Sequence, residues 1–163
     1  MKPLKWKRCQ FLKIKEYIIH QYNEAGGPRD FIITSGAHEN YLKPLHKELS
    51  KFGVEMTEII LYAISVAAIS KSAENNNFGE NSDWHSGQEH VFQIPNLDED
   101  KIEFLLSVMI KLYGVNSLSD YKQMIKRLEQ LAETGLQQLH ETFFEEYFKL
   151  PDKFIDLVAE GRL

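Results

Sequence analysis

The sequence predicts a mainly α protein, a helical bundle of about five or six helices. Three observations carry that prediction. Apolar residues recur at steps of three and four through most of the chain. The longest uncharged run, "IILYAISVAAIS" at 59–70, is too short for a membrane span of about 20 residues and suits a buried helix. Gly and Pro mostly fall between the periodic segments, where they end helices.

Phe11, Ile14, Ile18 and Tyr22 give the first helical stripe, which should stop at "NEAGGPRD", 23–30. "FIIT", 31–34, is short and β-prone. Tyr41, Leu45, Leu49 and Phe52 form a second stripe. Pro44 fits only a first helical turn, so this helix is expected to begin close to it and to end at Gly53. Segment 55–71 is apolar nearly all round and reads as the central helix, buried on most sides.

A long irregular loop, 73–97, follows, and within it "HVFQI", 90–94, can form a minor two-stranded β element with 31–34. Asp98, Glu99 and Asp100 then open a helix carrying Ile102, Leu105, Leu106, Met109 and Tyr113, closed by Gly114. "NSLSD" offers N-caps for a long helix with Ile125, Leu128, Ala132, Leu136, Leu139, Phe143 and Tyr147 along one face. Gly135 is expected to bend it, and Pro151 to end it and open a last helix. The 163 residues are read as a single helical domain, 1–163.

Composition narrows the function. A formal net charge of −5 argues against nucleic-acid binding by the whole surface. The only cysteine, Cys9, leaves no intramolecular disulfide and no cysteine-based zinc site. With no uninterrupted apolar signal region, a cytoplasmic location is expected. P-loop, GxGxxG, GxSxG and HExxH motifs are absent, as is the Glu-x-x-His pair of diiron bundles.

The loop stretch "NSDWHSGQEHVFQIP", 81–95, holds the residue types that do chemistry. "SGAHE" at 35–39 and "SGQEH" at 86–90 flank the two β-prone runs. Antiparallel pairing of those runs would bring His38 and Glu39 near His85 and His90. Imidazole and carboxylate suit a divalent metal or acid–base work, which makes a metal-binding or hydrolytic enzyme the second reading. Taken as loop residues, the same side chains only keep 73–97 polar, and that reading is favoured. A third reading places a nucleic-acid contact at the basic N-terminus through Lys5, Lys7 and Arg8.

The leading reading is a non-catalytic subunit or adaptor that binds a protein partner or a second copy of itself, with no cofactor. Its support is mainly the absence of catalytic motifs, together with the aromatic excess near the C-terminus, Phe144, Tyr147, Phe148 and Phe154, which a wide core stripe and an interface explain equally well.

Overall fold

The computed structural model describes residues 16–21, 23–24, 30–74 and 87–147. It is a mainly α fold with one small antiparallel sheet. After a helical segment at 16–21, strand β1 (Phe31–Thr34) runs directly into helix α1 (Ser35–Phe52). Helix α2 (Met56–Glu74), strand β2 (Gln88–Phe92), helix α3 (Glu99–Tyr113) and helix α4 (Tyr121–Glu141) follow, and a π turn, Thr142–Tyr147, extends α4.

Helix α1 begins at Ser35, nine residues before Pro44, and not beside the proline. Thr34 serves as N-cap, its hydroxyl accepting from the Ala37 backbone N–H at 3.2 Å. Proline has no N–H to return to residue i−4, so an unbroken α-helix through Pro44 is unfavourable. The chain answers with a π turn at His38–Leu42, in which the Lys43 N–H reaches back to His38 O. Regular α-helix resumes at Lys43–Leu49, with Pro44 in its first turn. Gly53, at φ 79° and ψ 14°, then closes the helix in the left-handed conformation. The Val54 N–H reaches Leu49 O at 3.3 Å across that cap.

The two strands pair antiparallel, with Ile32 opposite His90, Ile33 opposite Glu89 and Thr34 opposite Gln88. Phe31 faces Phe92 across a bulge, and their rings stack at 4.6 Å. Strand β2 thus sits two residues earlier than 90–94. Pro95 cannot donate to a ladder, and Ile94–Asn96 winds into a short 3₁₀ turn instead.

The core joins β1 to all four helices through residues such as Phe31, Leu45, Ile60, Ile64, Met109, Ile125 and Leu128. Its closest approach is between α2 and α4. A Cβ built on Gly135 would lie 1.8 Å from the Ala63 carbonyl oxygen, so here the two backbones meet directly. Gly135 leaves α4 unbroken from Tyr121 to Glu141. It lets α2 in.

Helix α2 is less enclosed than its apolar run implies. Its inner face, Ile59, Ile60, Ala63, Ile64 and Ala67, is buried, while Tyr62 and Ile69 are 62% and 65% exposed. No single helix among the described residues is long and apolar enough to cross a membrane. Helices α1 and α2 together have the length and composition, and the chain bends by 115° between them.

Candidate functional site

Strand β1 uses one edge on β2, and its other edge would leave backbone N–H groups unpaired beside α4. Two buried glutamates satisfy them. The Ile32 N–H donates to Glu129 Oε1 at 3.0 Å and the Thr34 N–H to Glu133 Oε1 at 2.5 Å. The spacing follows from geometry: residues i and i+4 of a helix rise about 6 Å, and residues i and i+2 of a strand are about 6.6 Å apart. Two carboxylates one helical turn apart therefore match two outward N–H groups of a strand. Glu129 and Glu133 are 4% and 7% exposed, and burial pushes the Glu133 carboxyl above the usual carboxylate range. The Thr34 backbone and hydroxyl bonds act against that rise without reversing it.

A cleft of about 130 Å³ opens beside this clasp, lined by Ile32, Thr34, Gln88, Lys126, Glu129 and Glu133. Both carboxylates already hold the strand edge, so the arrangement is a structural clasp. Sequence reasoning passed over the pair, although the signal was there. Glu129 lies four residues after Ile125 and three before Ala132, and Glu133 lies three before Leu136, so both fall within the apolar stripe of α4.

The antiparallel pairing brings the two Ser-Gly steps together. The Ser35 N–H donates to Gly87 O at 2.7 Å, and Ser35 Oγ stands 3.4 Å from Glu89 Oε1. The flanking histidines turn to other partners. His38 Nδ1 makes a long contact, 3.4 Å, with Glu39 Oε1, whose closest neighbour is the Lys43 ammonium at 2.5 Å. That ammonium holds the Glu39 carboxyl below the usual range. His90 Nδ1 sits 2.8 Å from Asp30 Oδ2, and Asp30 also accepts from Gln93 Nε2 at 2.6 Å. Among the described residues no three His, Cys, Asp or Glu side chains gather as a metal set. His85 lies outside the described residues, as do Lys5, Lys7 and Arg8.

Of the C-terminal aromatics, Phe144 is half-buried, 4.6 Å from the His140 ring and 5.2 Å from that of Phe143. The Tyr41 ring lies 5.4 Å from that of His140. Both Phe143 and Phe144 pack against the core. The side chain of Tyr147, and all of Phe148 and Phe154, lie outside the described residues.

Among the described residues the most exposed large apolar side chains are Phe52, Val115, Tyr62 and Ile69, the last two on α2. Tyr62, Ser65 and Ile69 follow one another at helical spacing along α2. Beside them α2 and α3 form an open groove of about 330 Å³, lined by Leu61, Tyr62, Ser65, Asp100, Lys101 and Phe104. No sequence pattern separated this face from the inner one, because α2 is apolar on both. In comparisons with family models, curated proteins and solved structures, nothing matches the chain.

Proposed function

We propose that the protein is a protein-interaction module, a subunit or adaptor, whose contact surface is the outward face of α2 together with the α2–α3 groove. The observation that carries this is the exposure of Tyr62 and Ile69 on the most apolar helix of the fold, beside a groove floored by Leu61 and Phe104. Exposed apolar side chains beside an apolar groove favour an interaction site, and tyrosine is favoured at the energetic centres of such sites. Burying the Ile69 side chain in an interface gains roughly 1.5–3 kcal/mol. Asp30 pairs with His90, Glu39 with Lys43, and Glu129 and Glu133 hold the strand edge.

The test uses the immobilised full-length chain and extract from its native cells. Tyr62→Asp and Ile69→Asp are expected to release partners that the unaltered chain retains, while Lys122→Asp, exposed on α4, keeps them. Retention unchanged by both α2 substitutions contradicts the reading.

A further inference from the structure

We infer that the outward face of α2 pairs with the same face of a second copy of this chain, the two helices running antiparallel about a two-fold axis beside Ser65 and Val66. This rests on the interaction reading above and commits it to one occupant. Two features of the face fit each other. Ile69 is a bulky side chain that stands 65% exposed. The groove lies toward the other end of α2, where Leu61, Tyr62, Ser65 and Phe104 line about 330 Å³ of open space.

Tyr62 and Ile69 are seven residues apart, almost two full turns, so they share a face and lie about 10.5 Å apart along the helix. One helix therefore carries a projection and a recess, and its own projection cannot fill its own recess. An antiparallel copy reverses the order. With the axis midway, Ile69 of each copy meets Tyr62 and the groove of the other, and the small Ser65 lies where the helices cross. Such reciprocity, residue i on j and j on i, defines a two-fold interface.

The charge pattern suits a copy as well. The chain carries a formal net charge of −5, so two copies repel wherever their acidic surfaces meet. Between Ile59 and Ser70 α2 has no charged residue, and the groove lining adds one carboxylate, Asp100, and one ammonium, Lys101. Glu58, one turn before Tyr62, falls about 11 Å from the axis, which sets the two copies' Glu58 about 22 Å apart, more than twice the Debye length in physiological salt. A second copy brings the matching projection and recess and needs no net charge to recognise.

The test follows the mass of the full-length chain by sedimentation velocity over a range of concentrations. The mass is expected to rise from one chain to two as concentration increases. Tyr62→Lys and Ile69→Glu, at exposed positions and checked for an unchanged circular dichroism spectrum, should each weaken the dimer by roughly tenfold or more. Mixed together, the two variants should bind each other about tenfold more tightly than either binds itself. In the mixed dimer the new lysine and the new glutamate face each other at one end, and the native Ile69 and Tyr62 meet at the other. Ser65→Trp, beside the axis, should disperse the dimer by bulk alone and serves if a charged variant unfolds.

A chain that stays monomeric at every concentration overturns the second copy; if Tyr62→Asp still releases partners from cell extract, the interaction surface stands without it. A dimer that none of these substitutions weakens is held by another face and overturns the assignment to α2. A dimer weakened by both charged variants but not recovered on mixing overturns the antiparallel pairing.

Discussion

Glu133 pins the inner edge of β1 to α4. As a carboxylate it accepts the buried Thr34 N–H, and removing it leaves that donor without a partner. Glu133→Ala is therefore expected to cost about 1–3 kcal/mol in urea unfolding. Glu133→Gln retains an acceptor oxygen and removes a charge that burial opposes, so at pH 7 it should unfold at the same urea concentration or higher. The pH dependence has a defined sign. The folded state holds the Glu133 proton more tightly than the unfolded chain does, because burial raises its pKa. This group's contribution then falls as pH rises from the ordinary carboxylate value through the raised one. Unfolding midpoints across that window should show the decline in the parent and lose that component in Glu133→Gln; identical slopes would contradict it. The clasp was readable in principle, as two acids inside an apolar stripe, but no sequence signal names the strand whose N–H groups they meet. That partnership spans almost a hundred residues and exists only after folding.

Among the elements, the legible features were those fixed by neighbours in sequence. The Gly53 cap, the Asp98 and Asp120 N-caps and the stripes of α3 and α4 are local, and each forms where its residues point. Pro44 misled because proline's strongest rule places it near a helix start. The alternative, a π turn ahead of it, shifts the hydrogen-bond register before the residue that lacks an N–H and lets the helix continue from Ser35. Strand β2 slid by two residues because Pro95 takes the chain out of the ladder. Gly135 shows the limit of local rules most sharply. Helix propensity alone makes Gly135→Ala stabilising by about 1 kcal/mol. The approach of the Ala63 carbonyl predicts the opposite, since a methyl there forces α2 and α4 apart. The expected outcome is a net loss of about 1–3 kcal/mol or more. A rise in thermal midpoint would mean that the two helices are not in backbone contact.

Over the whole molecule, the same apolar run that supplies the core also supplies the exposed surface. Composition shows that 59–70 is hydrophobic on every side. Only packing shows which side is covered: Ile60 and Ala63 lie against the core, while Tyr62 and Ile69 face outward. The aromatic excess near the C-terminus pointed to interaction as well, yet its described members Phe143 and Phe144 are half-buried on the core. The α2 face is one of the places among the described residues where the fold leaves apolar side chains exposed, Phe52 and Val115 being others, and it alone lies beside the α2–α3 groove. In the β-strand region His90 pairs with Asp30, while His38 Nδ1 is buried without a hydrogen bond, 3.4 Å from Glu39. The most direct measurement is site-specific photocrosslinking of the full-length chain in its native cells, with the reactive residue at position 62 or, as control, at position 122. A discrete adduct from position 62, lost when Ile69→Asp is added and absent from position 122, is the predicted result. Equal labelling from both positions, or none from position 62, would contradict the account.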